Sequence, residues 1–333
     1  MVAQIDSFYY RSNPSKAISR LISYALFEGR PLTTQGRWIN PALAASFGVI
    51  KKLPQLRKVE KPIFIIGTGR SGTTILGVIL SLHRDVGFLN EPKALWDAAY
   101  PYEDLVGSYT RLPARYRLNG IDASTEVKAT MHKLFGAYLS TIRATRVVDK
   151  YPELIFRVPF VRAIFPDAKF IFLVRNGWDT CDSIDNWSKR LGVKHGSEVH
   201  DWWGVDCRKW QLLCDEIVLT EQLLCKQLQE IRKFKNHSQM AIVEWILTMQ
   251  EGIRVRKEHA DCVLTVKYED LVLEPSKIIN EIFQFCDLFV DENVQAYARE
   301  VLKPVRSKTP FELEPCLVNP FYETMEALGY ERY

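Results

Sequence analysis

The 333-residue sequence predicts an α/β fold in three layers (α/β/α), with a central parallel sheet and helical insertions. Three observations carry this expectation. Short apolar runs rich in Ile, Val and Phe read as strands buried on both faces. Helix-like stretches alternate with them, as a parallel sheet covered by helices requires. A glycine-rich turn follows the first run and opens directly into an apolar helix, the order of elements in which backbone N–H groups gather around an anion.

In chain order, strands are expected at 62–66 (PIFII), 85–89 (DVGFL), 146–149 (RVVD), 169–174 (KFIFLV) and 262–266 (CVLTV). Helices are expected over 73–82, 152–165, 178–190, 202–234 and 238–258. No repeat, low-complexity tract or Pro/Gly linker divides the chain, so 1–333 reads as a single domain. Within it, 1–58 forms a helical N-terminal extension and 59–333 the core, with helical insertions at 96–145 and 185–260. Inserts of this kind cap strand ends and shape a pocket.

Composition limits the function classes. The chain is 47% apolar and 25% charged, with a net charge of +4, which gives no positive reason to expect nucleic acid or membrane as a partner. No apolar run approaches the ~20 residues of a membrane-spanning helix. The first twenty residues lack a secretory pattern. The seven cysteines are scattered without a C-x-x-C pair, so reduced thiols and a cytoplasmic location are expected. The six histidines show no metal-ligand spacing, so no metal is expected.

The strongest local signal is IFIIGTGRSGTTIL, residues 63–76. Gly67, Gly69 and Gly72 allow a tight turn, and the helix start adds unpaired donors and a positive dipole end. Arg70 can fork onto non-bridging oxygens, and the hydroxyls of Ser71, Thr73 and Thr74 can complete the cradle. Gly67 and Gly72 have the Walker spacing, but Thr73 stands where a nucleotide triphosphatase has lysine. The cation lies inside the turn instead, which weakens an ATP or GTP reading. A second signal follows the run KFIFLV: Arg175 at the strand's end and Ser183 about two helical turns on. In a parallel sheet both strand ends open on one edge, so Arg175 and Arg70 can face one ligand phosphorylated at two places.

Together, GTGRSGTT and FLVRNGWDTCDS resemble the two nucleotide-binding motifs of sulfotransferases that use 3′-phosphoadenosine-5′-phosphosulfate (PAPS), enzymes of P-loop NTPase-like fold. The Arg-type turn is similar to that of tyrosylprotein and bacterial sulfotransferases, as are DKYPELIFRVPFVRAIFPDAKFIFLVRNG, VLKPV, YEDL and EALGYE. The resemblance covers most of the chain from residue 62 onward. It implies that Gly69, Arg70, Ser71, Gly72, Thr73 and Thr74 hold the 5′-phosphosulfate, and that Arg175 and Ser183 hold the 3′-phosphate. It places Tyr268 near the adenine. It implies that Glu91 is the general base, and that Lys150 and Arg70 act on the transferred group. The spent donor would be 3′,5′-diphosphoadenosine (PAP). The cytosolic branch's histidine and its R-K-G-x-x-G-x-W-K motif have no counterpart, and Tyr297 stands where the tyrosylprotein branch has serine. Lys303, Arg306, Ser307 and Lys308 are candidate substitutes for the missing C-terminal contacts.

The expected acceptor is a small molecule, natural product or glycolipid with a hydroxyl or amino group; homodimerisation is left open. The acidic and aromatic segment 96–104 would suit a cationic or sugar-like acceptor. Trp202, Trp203 and Trp210 could line an acceptor pocket, but read first as the core stripe of a helix; His195 and His200 read as loop histidines rather than catalysts. A P-loop small-molecule kinase and a non-catalytic nucleotide-binding module are the alternatives.

Overall fold

The computed structural model describes residues 3–304 and 310–331. Its strands are β1 (Ile63–Gly67), β2 (Val86–Asn90), β3 (Arg146–Lys150), β4 (Lys169–Val174), β5 (Val193–His195), β6 (Glu198–Asp201), β7 (Gly204–Val205) and β8 (Val263–Lys267). Five of them form a parallel sheet in the order β2-β3-β1-β4-β8. All five expected strands are therefore present, each within one residue of its expected bounds.

Side chains alternate across the sheet with a period of two, so each strand feeds two cores. Ile63, Ile65, Val148, Ile171 and Leu173 face one core; Phe64, Ile66, Val147, Phe170 and Phe172 face the other. Helices cover both sides. The N-terminal part holds α1 (Ser7–Ser12), α2 (Pro14–Leu26) and α3 (Asn40–Lys52). Then come α4 (Thr73–Ser81), α5 (Lys93–Ala99), α6 (Thr125–Ile142), α7 (Val158–Ile164), α8 (Gly177–Leu191), α9 (Arg208–Leu212) and α10 (Leu228–Ile231). The long α11 (His237–Glu258), α12 (Tyr268–Leu273), α13 (Pro275–Phe285), α14 (Glu292–Val301) and α15 (Pro315–Ala327) complete the set. Among the described residues, no helix is long and apolar enough to cross a membrane.

Two expected helices need correction. Residues 202–234 do not form one helix. β5, β6 and β7 make a small antiparallel sheet, and short helical pieces follow it. The cause is local: Gly204 at φ +82° has its Cβ position 2.9 Å from the Val106 backbone, and Asp206 and Cys207 also adopt positive φ. Three left-handed residues so close together cannot continue a right-handed helix. The expected helix 152–165 is a 3₁₀ segment, Pro152–Arg157, followed by α7. Pro159 has no N–H to give the preceding turn, so a new helix starts around it.

The N-terminal helices are tied to the end of β2. Glu28 forms a buried ion pair with Arg20 at 2.5 Å, and its Oε1 also accepts the Asn90 N–H at 2.7 Å. Asn90 immediately precedes Glu91, so this clamp fixes the chain where it leaves the sheet.

Candidate active site

Five parallel strands end on one edge, and five residues singled out in the sequence sit at those ends. Arg70 follows β1, Glu91 follows β2, Lys150 closes β3, Arg175 follows β4 and Tyr268 follows β8. Ligands of open α/β sheets bind along this carboxyl edge.

The turn after β1 is built around left-handed backbone. Arg70 has φ +70° and Gly72 φ +100°. At Gly72 a Cβ would also run into the Tyr268 ring, so only glycine fits on both counts. The Ser71 hydroxyl is buried and donates to the Thr68 carbonyl at 2.6 Å, so it closes the turn instead of pointing outward. Thr73 is buried at the start of α4, whereas Thr74 lines an open cavity.

The two arginines meet here. Arg70 Nε donates to Ser183 Oγ at 3.2 Å, and Arg175 Nη1 donates to the Arg70 carbonyl at 3.5 Å. The Arg175 guanidinium lies 4.4 Å from the centre of the Tyr268 ring and 3.8 Å from Asp179. Its Nε is buried with no hydrogen-bond partner. Tyr268 thus touches both the glycine turn and Arg175. Burial, together with repulsion from Arg190 and Arg175, lowers the Arg70 pKa from its ordinary value, with Glu91 opposing. Asn176 holds α8 in place, its side chain accepting from the Trp178 N–H at 2.9 Å and its own N–H donating to Glu269 at 3.0 Å.

Beside this turn runs a chain of alternating charges. Lys150, only 2% exposed, donates to Glu91 Oε1. Lys93 lies 3.6 Å from Glu91 and 3.2 Å from Glu153. Lys209 then bridges Glu153 at 3.4 Å and Glu244 at 2.5 Å, and Glu244 accepts the Trp202 Nε1–H at 2.7 Å. Glu91 itself has φ +50°, held by its N–H donating to the Lys150 carbonyl at 2.7 Å. Non-glycine residues held in this region concentrate at functional sites. Burial pushes the Glu91 carboxyl up, but Lys150 and Lys93 outweigh it and hold its pKa below the ordinary value. Glu153 is likewise driven far down, burial being overcome by Lys93 and Lys209.

Two cavities adjoin at Glu91 and Lys93. The larger is lined by Arg70, Thr74, Asn90, Lys150 and Leu191. The smaller is lined by Gly69, Pro152, Glu153, Trp187, Trp202 and Lys209. Pro31 and Thr33, just before α3, reach both.

Several expectations change. Trp202 is no core-stripe residue: it stacks edge-on with Trp187 at 5.4 Å and walls the smaller cavity, while Trp203 and Trp210 are buried. His195 and His200 sit in β5 and β6, and the buried His200 also reaches the smaller cavity. None of 96–104 lines either cavity. Trp96 donates to Asp149 at 2.8 Å, Glu103 pairs with Arg157 at 3.0 Å, and Asp104 accepts three N–H groups of the following loop. Tyr297 is an anchor for α1, with its ring against Phe8 and Tyr9. The exposed Lys303 donates to the Arg299 carbonyl at 3.5 Å; Arg306, Ser307 and Lys308 lie outside the described residues. Lys209, Glu244, Trp187 and Arg190 went unnoticed in the sequence. Glu153, three residues after Lys150, was the one whose spacing could have exposed it.

A family profile described as "Sulfotransferase family" matches residues 62–217. An uncharacterized protein of Aquifex aeolicus is 24% identical over 258 residues, 74% of this chain and 28% of that protein. A putative protein-tyrosine sulfotransferase of Caenorhabditis briggsae is 23% identical over 213 residues, 60% of this chain and 72% of that protein. The crystal structure of a sulfotransferase from Mycobacterium avium superposes with a TM-score of 0.49 at 15% identity, covering 98% of this chain and 93% of that one. The matched segment, residues 62–217, is similar to the sulfotransferase family and carries the Arg70 turn, Glu91, Lys150, Arg175 and Ser183.

Proposed function

We propose that the protein transfers a sulfuryl group from PAPS to a hydroxyl or amino group of a small molecule, natural product or glycolipid. The observation that carries this reading is the meeting of Arg70, Ser183 and Arg175 on one rim, next to the Glu91–Lys150 pair. The unpartnered Arg175 Nε and the cation crowding around Arg70 fit a ligand with two separated anionic groups.

When bound, PAPS supplies a sulfuryl group activated by its link to phosphate. The turn 69–74 binds the 5′ end through N–H groups, Arg70 and the Thr74 hydroxyl. Arg175 and Ser183 take the 3′-phosphate, and Tyr268 orients Arg175 from beneath. Lys150 directs its ammonium toward the charge that builds on the leaving oxygen. Glu91 takes the acceptor's proton, and Lys93 keeps it oriented and ionised beforehand. The smaller cavity holds the acceptor between Trp202, Trp187 and Pro152. All seven cysteines are free thiols, consistent with a reducing, cytoplasmic setting.

Thermal unfolding tests this assignment. PAP should raise the melting temperature without magnesium, whereas ATP with magnesium should not. Stabilisation by MgATP alone would favour phosphoryl transfer instead.

A further inference from the structure

The solvent face of α3 is apolar where a surface helix is normally charged. Leu43 and Phe47 point into the core, and the opposite side carries Pro41, Ala42, Ala45, Gly48, Val49 and Lys52, all exposed. Just before it stands Trp38, 84% exposed, and just after it come the exposed Leu53 and Leu56. A tryptophan this open gains nothing from folding.

Charge says what covers this face. Between Glu28 and Glu60 the sequence holds no Asp or Glu, yet it holds six cations. Arg30 is buried on Tyr24, Lys58 is paired with Glu60, and Lys51 faces Asp97 of α5 on the inner side of the helix, while Arg37 and Lys52 are exposed and Arg57 is half-buried. Lys52 stands in the apolar face itself. A second copy packed on this face would bring its own Lys52 close, with no acid on the face to pair either. An anionic bilayer surface complements both halves of the pattern: Trp38, Val49 and Leu53 enter the acyl boundary, and Arg37 and Lys52 meet lipid phosphates.

We propose that α3 and its flanks dock the protein peripherally on anionic membrane.

Co-sedimentation of the full chain with vesicles tests this. Phosphatidylcholine vesicles containing phosphatidylglycerol should pellet the protein, and pure phosphatidylcholine should do so about tenfold less well. Lys52→Glu and, separately, Trp38→Ser should each cut the bound fraction about fivefold or more, the cation's share following from its attraction to an anionic surface. PAP-induced thermal stabilisation, which reads the separate nucleotide site, should be unchanged in both variants. The proposal is overturned if the wild-type chain stays in the supernatant with anionic vesicles, or if neither variant alters binding. It is also overturned if sedimentation velocity shows a dimer that Trp38→Ser dissociates.

Discussion

At the scale of single residues, the proposed role of general base would set two opposing demands on Glu91. A base must be ionised before the acceptor arrives, and it must still accept a proton during transfer. Lys150 and Lys93 meet the first demand by holding the carboxyl below its ordinary pKa. Glu91 therefore stays ionised down to and below the usual carboxylate range, so kcat/KM should show no Glu91 acid limb above about pH 4.5. Removing a cation lets burial win: Lys93→Met should shift that limb to higher pH in a pH–rate profile. Glu91→Gln should lower kcat by about 100- to 10,000-fold while leaving PAP affinity nearly intact. An equal loss of PAP binding in that variant would assign Glu91 to the nucleotide instead. The neighbours of Glu91 show why the sequence revealed only part of this site. Asn90-Glu91-Pro92 and Asp149-Lys150-Tyr151 follow apolar strand runs, and their positions at strand ends are legible. Lys209 and Glu244 arrive from an irregular segment and a long helix, and no spacing in the chain links them to Glu153 or to each other.

At the scale of elements, the glycine turn, α8 and α12 act as one clamp. Tyr268, the first residue of α12, packs against Gly72 and beneath Arg175. Gly72→Ala adds a Cβ that collides with this ring at a left-handed φ, so it should push Tyr268 and Arg175 out of place. PAP affinity in that variant should fall at least about tenfold, the scale of one lost charge-assisted hydrogen bond, measured by calorimetry. The sheet strands were legible because each is apolar on both faces, which leaves a continuous run of Ile, Val and Phe. The small sheet β5–β7 was not. Its strands are short and mix charged residues with single buried ones, and its course is set by left-handed residues at 204, 206 and 207, of which only Gly204 announces itself in sequence. The same turns bring Trp202 to the cavity, so of the two roles its sequence allows, pocket wall and core stripe, the turns decide for the first.

At the scale of the whole molecule, stability rests on buried polar groups outside the glycine turn. Arg157 is fully buried. It holds Glu103 at 3.0 Å and donates to the carbonyls of Tyr116, Glu103 and Arg115 at 3.1, 3.1 and 2.8 Å. Arg157→Leu strands these acceptors and should cost about 3–5 kcal/mol in denaturant unfolding. Asp97 and Glu103 are both pushed up to about 7, in each case chiefly by burial. Each keeps a proton in the folded chain that the unfolded chain has released, so their contribution is full below about pH 4 and is lost as pH rises through 7. Asp97→Asn removes one of these penalties. Its gain in melting temperature should therefore be larger at pH 8 than at pH 5, and a gain that shrinks with rising pH would contradict the assignment. The central claim is that the rim formed by β1 and β4 reads the 5′- and 3′-phosphates carried on one ribose. Calorimetric titration of the wild-type chain and Arg175→Ala with PAP and with AMP, which lacks the 3′-phosphate, tests it most directly. The wild-type chain should prefer PAP, and Arg175→Ala should lose about 10- to 100-fold in PAP affinity with little change for AMP. An Arg175→Ala protein that keeps the full preference for PAP would contradict it.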